Sequence, residues 1–263
     1  MDLAEPGDVE LLALELETIW ATDDRGRLCG SVYPWPQLAI AVGRDGRTLA
    51  IGSDVPDHLA DELSVAAPAR PWDERAGEPP RGVGECARLL AGMGAVSIAS
   101  GPSFVVPADR SVGPAETLIG LDIELRRSSG DGDDLMPLRD ARWWKPDDWR
   151  DLLAGRLGPW AMTVEAGRVT ALCHSSRMSA RAVEAGVWTH PDFRGQGRAA
   201  AVTAAWAGHP GLGERVRFYS TSRDNRASRG VAAKLGLRPI GWIWQLSVVA
   251  DQPPGLGGPT TTS

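Results

Sequence analysis

The stretch Val187-Trp188-Thr189-His190-Pro191-Asp192-Phe193-Arg194-Gly195-Gln196-Gly197-Arg198-Ala199 constrains this chain more than any other. An apolar run stops at a proline, passes through an arginine- and glycine-rich turn and enters an alanine-rich segment, so it reads as strand, turn and helix. Glycines let backbone approach a ligand closely, and the first N–H groups of a helix have no partner inside it. Those groups, the helix dipole and the charges of Arg194 and Arg198 favour an anion here, and a pyrophosphate is the natural occupant.

Several designs use such a turn. A dinucleotide fingerprint needs G-x-G-x-x-G or its alanine variant; Gly195, Gly197 and Ala200 fit only the variant, and no acid ending a second strand follows about 20 residues on. A phosphate loop of the Walker type needs a lysine and a hydroxyl after its last glycine, where Arg198 and Ala199 stand. A plain surface turn carrying arginines is the remaining alternative. A second segment bears on the choice: Thr221-Ser222-Arg223-Asp224-Asn225-Arg226-Ala227-Ser228 leads into Val231-Ala232-Ala233-Lys234-Leu235-Gly236-Leu237, read as a strand end, an Asn-capped helix and a glycine stop.

At 263 residues the chain has room for one large or two modest domains, and two are expected. The formal charge of -6 is uneven: residues 1–134 hold 11 arginines against 24 acids, and residues 135–263 hold 17 basic residues against 10 acids. The basic part contains the anion-binding turn. Overall acidity argues against nonspecific nucleic-acid binding, which depends on a clustered basic surface. Cys29, Cys86 and Cys173 are scattered and form no C-x-x-C pair, so they read as reduced core residues and suggest neither disulfides nor a metal site. The acidic start and the lack of an apolar run near ~20 residues point to a cytoplasmic protein without a membrane partner.

Periodicity predicts a helix over 9–20 (Val9, Leu12, Leu16, Ile19), a hairpin of 38–42 and 48–51 around Asp45-Gly46, and helices from Pro56 to about Ala66 and over 83–91. Strands follow over 95–106 and 117–125. The polar run 128–134 is the expected boundary between an N-terminal α/β domain, 1–134, and a second domain, 135–250. Beyond it come a helix over 147–155, a hairpin of 160–164 and 169–173, a strand over 181–189, a helix over 199–207, a strand over 215–220, a helix over 226–235 and final strands. The hairpin at 160–173 echoes the one at 38–51, as a degenerate copy of the same plan would. Residues 251–263, rich in Gly and Pro, are expected to be disordered.

The order of hairpin, strand, R-G-x-G turn, helix, strand, Asn-x-x-Ser helix and final strands, over about 138–249, resembles the core of the GNAT superfamily of N-acetyltransferases. That resemblance implies an α/β (α+β) fold with a mixed central sheet flanked by helices. It implies acetyl-CoA as donor, no metal, and an amine acceptor that the sequence does not identify. Its pyrophosphate would lie on the N–H groups of Arg194, Gly195, Gln196, Gly197, Arg198 and Ala199, and its pantetheine arm along Val187, Trp188 and Thr189, where a splayed strand offers free amides. A main-chain N–H near Trp188 or Thr189 would meet the developing oxyanion. Asn225 and Ser228 match the motif that contacts the cofactor arm, although Asn225 serves equally as an N-cap; Arg226 and Arg229 could reach a 3'-phosphate. Glu184 resembles the glutamate that some members use as base, with a strand-edge surface acid as its plainer role, and His174 is the alternative base. Many members carry a tyrosine seven residues after the motif asparagine, where this chain has Ala232, so the departing thiolate would be protonated by Tyr219 or Ser222, or leave unaided. A catalytically silent acyl-CoA-binding or regulatory module is the competing function, and a nucleotide-binding enzyme of another fold is the third. Trp143, Trp144 and Trp149 are candidate stacking surfaces for a cationic acceptor.

Overall fold

The computed structural model describes residues 6–29, 35–68, 80–107, 123–128 and 132–249. The expected disorder of 251–263 and residues 117–122 of the expected strand 117–125 lie outside the described residues. In chain order the elements are α1 (Asp8–Ile19), the short pair β1 (Ala21–Thr22) and β2 (Leu28–Cys29), β3 (Leu38–Val42), β4 (Arg47–Ile51), α2 (Asp57–Ala66), α3 (Arg81–Leu90), β5 (Ala95–Val105), β6 (Glu124–Arg127), α4 (Pro146–Leu153), β7 (Trp160–Glu165), β8 (Arg168–Met178), β9 (Ala182–Thr189), α5 (Arg198–Ala207), β10 (Val216–Ser220), α6 (Arg226–Lys234) and β11 (Arg238–Val249). The other expected segments become these elements with ends displaced by a residue or two, but of the expected strand 117–125 only 124 and 125 fall in a described strand, β6, and β8 continues five residues past the expected Cys173.

Among the described residues nine strands form one mixed sheet in the order β4-β3-β11-β5-β10-β9-β8-β7-β6. Only β9 and β10 among these neighbours run parallel. The sheet does not divide at 128–134: β6, before that run, pairs with β7 after it. More tellingly, among the described residues a single strand follows α6, where several were expected, and it runs between β3 and β5, both from the first 134 residues. β5 in turn fills the place between β11 and β10.

Side chains alternate across the strands, so each face of the sheet collects its own core. On one face α1 covers β3, β11 and the start of β9 through Leu12, Leu16, Ala39, Ala41, Ala182, Phe218 and Ile243. Beside it α4 covers β7 and β8 through Trp149, Trp160, Met162 and Leu172. On the other face α5 and α6 cover β8 to β10, with Trp206, Cys173, Val183 and Tyr219 buried, and α2 and α3 cover β3 and β11 over Trp242 and Trp244. The two sides of the sequence are also clamped by charge. Burial works against an ionised Asp8, yet hydrogen bonds from Arg44 (2.6 Å) and from Arg238 at the start of β11 (2.7 Å) hold its carboxyl below the usual range. Asp45, in the β3–β4 turn, accepts the Val9 N–H at 3.0 Å and so caps α1 from outside.

Candidate active site

The central feature is a fork in the sheet. β9 pairs with β8 from Val183 up to Thr189, but it pairs with β10 only through Ala182, Val183 and Glu184, opposite Val216, Arg217 and Phe218. From Ala185 to Thr189 its second edge has no strand partner among the described residues. Backbone groups along an antiparallel strand alternate sides. His190 N–H donates to Thr170 O on the β8 side at 3.0 Å, so Trp188 and Gly186 also face β8, while Ala185, Val187 and Thr189 aim N–H and C=O into the fork. The sequence expectation is thereby corrected at one position, because the Trp188 amide belongs to the β8 ladder.

At the far end of β9 comes the turn. His190 Nδ1 accepts the Asp192 N–H at 3.3 Å and shapes Pro191–Phe193 into a single helical turn. Gly195 and Gly197 then adopt φ of +75° and +79°, a left-handed region that disfavours any residue with a Cβ. Arg194 N–H donates to Pro191 O and Ala201 N–H to Gly197 O. Between them, no backbone acceptor among the described residues takes the N–H groups of Gly195, Gln196, Gly197, Arg198, Ala199 and Ala200. Six donors at a helix N-terminus with two left-handed glycines fit an anion.

The Arg198 guanidinium, expected beside that anion, is committed to protein partners instead. It is buried, pairs with Glu165 at 2.5 Å, donates to Thr170 Oγ1 at 3.1 Å and lies 4.6 Å above the Phe193 ring. Only its main-chain N–H faces outward. Arg194 is the exposed cation of the turn, its Nε 3.5 Å from Thr189 O, and Gln196 ties the turn to Asp192 O at 3.3 Å.

Glu184 stands at the vertex of the fork, the last β9 residue paired with β10. It is 6% exposed, which removes the surface-acid reading. Its Oε1 accepts from Ser220 N–H at 2.9 Å and Ser220 Oγ at 2.7 Å, while Oε2 is buried without a partner among the described residues. Burial pushes its carboxyl up to about 7 against the lowering effect of the Ser220 donors. His174 lies on the same face, its ring over Gly186, where a Cβ would sit 2.9 Å from Cε1, and 5.8 Å from the Trp144 ring. Burial depresses its basicity, and its Nδ1 has no partner among the described residues.

Tyr219 is next to Phe218 but points to the opposite face. Its hydroxyl meets Ser228 Oγ at 2.6 Å and Ser228 O at 3.2 Å, and burial raises it to about 12. Asn225 Oδ1 accepts the Ser228 N–H at 3.0 Å, so the capping role is the one the fold uses. Ala232, at the position of the expected tyrosine, is buried on α6 and offers no hydroxyl.

Residues 125–237 match the family described as Acetyltransferase (GNAT) family. This segment is a GNAT domain. Among solved structures the chain is similar to a GCN5-related N-acetyltransferase-like protein from Streptococcus suis 89/1591, at 15% identity over 80% of this chain and 84% of that one, TM-score 0.47. It is similar also to an acetyltransferase from the GNAT family of Colwellia psychrerythraea, at 13% identity over 87% and 80%, TM-score 0.46. A GNAT-family structure from Novosphingobium aromaticivorans DSM 12444 is 19% identical over 59% of this chain and 66% of its own length, just under two-thirds, with TM-score 0.40. No curated protein matches. The family assignment rests on the match over 125–237.

Around the GNAT fork the tryptophans divide by role. Trp149 is 1% exposed and donates to Leu135 O at 3.2 Å, so it is core. Trp143 is exposed and lies 6.3 Å from Trp188, and Trp144 packs between Trp149 and His174. A cavity of about 580 Å³ lined by Glu10, Leu11, Leu14, Arg181, Glu214 and Arg215 opens elsewhere, at the starting ends of β9 and β10. In parallel strand pairs ligands gather at the carboxyl ends, where the fork is. Sequence reasoning missed one residue of this region, Glu15 on α1, which is completely buried beside Glu184. Its signal was available: it falls inside the apolar stripe of α1, three residues after Leu12 and four before Ile19. Among the described residues no cluster of His, Cys, Asp or Glu could hold a metal ion, and no helix is long and apolar enough to cross a membrane.

Proposed function

We propose that the GNAT domain is an acetyl-CoA-dependent N-acetyltransferase that acts on a primary amine of a small molecule or protein. The observation that carries this reading is the open edge of β9, which runs from a row of free turn N–H groups at one end to a buried, half-satisfied carboxyl group at the other. The turn from Gly195 to Ala199 would hold the pyrophosphate, and the Val187 and Thr189 amides would pair with the pantetheine arm as a strand edge pairs with a peptide. Acetyl-CoA supplies an activated thioester carbonyl. The Thr189 or Val187 N–H, aimed into the fork, can stabilise charge on that carbonyl's oxygen.

Glu184 removes the proton that makes an ordinary alkylamine, with pKa of ~10.4, unreactive. A base must be ionised to act, so the rate should rise with pH through about 7, the value to which burial brings this carboxyl. Ser220 holds it in place. Tyr219 is positioned by Ser228 on the opposite face of the fork; as a group kept neutral by burial, it can donate a proton to the leaving thiolate if it turns from Ser228.

Incubation with acetyl-CoA and a panel of amines, following thiol release, tests the reading. Release with at least one amine, reduced about 10²-fold or more in Glu184→Gln, is expected. A CoA-dependent rise in melting temperature without release from any amine would instead support a silent acyl-CoA-binding module, the reading favoured by Ala232. Absence of any CoA effect on melting would discard both.

A further inference from the structure

Glu15 is the most buried acid among the described residues and has no part in the reaction described above. It sits on α1, 0% exposed, and its Oε2 accepts the Ser103 hydroxyl of β5. Ser103 is the register partner of Ser220 across the β5–β10 ladder, and Ser220 holds Glu184. Two buried carboxyl groups thus hang from neighbouring serines on one face of the sheet. Each keeps one buried oxygen, Glu15 Oε1 and Glu184 Oε2, without a hydrogen-bond partner among the described residues.

Among the described residues neither acid forms an ion pair. From β8, Arg177 turns its guanidinium to Ser176 O, 2.7 Å away, and His174 is kept neutral by burial. On the buried face of α1 the next polar group is Thr18, bonded to Leu14 O and Ser179, while Glu17 is exposed on the other side. Cys173 and Tyr219, behind the sheet, are both pushed toward their neutral forms by burial. Two like charges in such surroundings cannot both persist, so one proton stays. The donor count decides where: Glu184 has two donors on its Oε1 and is slightly exposed, whereas Glu15 has one and is sealed.

We propose that Glu15, contributed by the N-terminal segment, is a positioning residue for Glu184: the two carboxyl groups share one proton, Glu15 keeps it, and Glu184 is left as the member that ionises and receives the amine's proton. This rests on the reading of Glu184 as base. The proton leaves the amine nitrogen for Glu184 Oε2, the pair becomes neutral, and that proton returns to solvent after turnover. Burial, and the Glu184 anion beside it, raise the Glu15 carboxyl well above the ordinary range. Both folded-state values lie above the unfolded ones, so their contribution to stability is complete at acid pH and is lost as pH rises through about 7 and beyond.

Carboxyl ¹³C NMR titration of the free protein, with labelled glutamate, reads the pair directly, using wild type, E15Q and E184Q. In wild type, Glu184 should ionise near neutrality and Glu15 later. In E184Q the Glu15 midpoint should fall by about one pH unit or more, because the neighbouring anion is gone. In E15Q the loss of melting temperature between about pH 6 and about pH 9 should shrink, since only one buried acid remains to ionise. A Glu15 that titrates in the ordinary carboxylate range in wild type, or whose midpoint is unmoved in E184Q, overturns the proposal, and both measurements hold even if E15Q does not fold. The titrations need neither CoA nor amine. Absent acetyl transfer with the pair titrating as stated would remove the catalytic reading and leave the pair; active transfer with an ordinary Glu15 would remove the pair alone.

Discussion

Two strand junctions in the same sheet behave in opposite ways. β5 and β11 share eleven register partners, from Val105 opposite Arg238 to Ala95 opposite Val249, whereas β9 and β10 share three. The long ladder joins residues about 140 apart in sequence and welds the acidic first part of the chain into the sheet of the GNAT domain. The short one leaves backbone amides free, which is tolerable only at a surface or beside a ligand that pairs with them. The contrast separates what holds the molecule together from what it offers to a substrate. It also explains why a helix from the first 20 residues can place Glu15 against a glutamate of β9.

If the long ladder is the weld, cutting the chain should have the largest effect of all. Residues 1–134 lack β11, which lies between β3 and β5, and residues 135–263 lack β5, which lies between β10 and β11. Each expressed alone should be unfolded by circular dichroism and amide hydrogen exchange, and mixing the two should restore structure. A folded, cooperatively melting fragment 135–263 would show that the ladder is an attachment between independent domains. Next in size comes Gly101→Ala. Gly101 lies where the chain leaving β10 crosses β5, and an added Cβ would stand 1.7 Å from Thr221 O, so backbone must move. A loss of about 3 kcal/mol in denaturant unfolding is expected, and a change below about 0.5 kcal/mol would mean that the crossing is looser than the structure has it.

The same contrast accounts for what the sequence made legible. Helices and hairpins with local signals were readable: the Leu12-Leu16-Ile19 stripe, Asp45-Gly46 between apolar runs, Pro146 at a helix start. The R-G-x-G turn was readable because φ > 0 at Gly195 and Gly197 and a helix N-terminus are encoded within a few residues. The insertion of β5 beside β11 was not, since nothing local to Ala95–Val105 distinguishes pairing with residue 240 from pairing with residue 120. The site divides likewise. Glu184 was placed on the correct strand, but its burial depends on α1, and the commitment of Arg198 to Glu165 depends on the β7–β8 turn. Ser228 and Asn225 were assigned to the cofactor arm, while the hydrogen bonds they make belong to a helix cap and to Tyr219.

At the short junction the expected effects are smaller and bear on binding more than folding. Gly197→Ala puts a Cβ at φ +79°, which costs about 1 kcal/mol in the turn. Relief of that strain would rotate the N–H groups of 195–200, and CoA affinity measured by calorimetry should weaken about tenfold with little change in melting temperature. An unchanged Kd would remove the turn from the binding site and leave the open β9 edge as the sole candidate. Asn225→Ala is the mildest and discriminates most finely. Its Oδ1 satisfies the Ser228 N–H at 3.0 Å, so removing it should cost about 1 kcal/mol of stability through the cap alone. Asn225→Asp keeps the cap, because a carboxylate accepts the same N–H and suits a helix N-terminus, but it replaces the amide NH₂ that could donate to a pantetheine carbonyl. Loss of CoA affinity in both variants assigns Asn225 to the cofactor arm as well as to the helix. Loss of stability in the alanine variant, with CoA affinity intact in both, confines it to the cap.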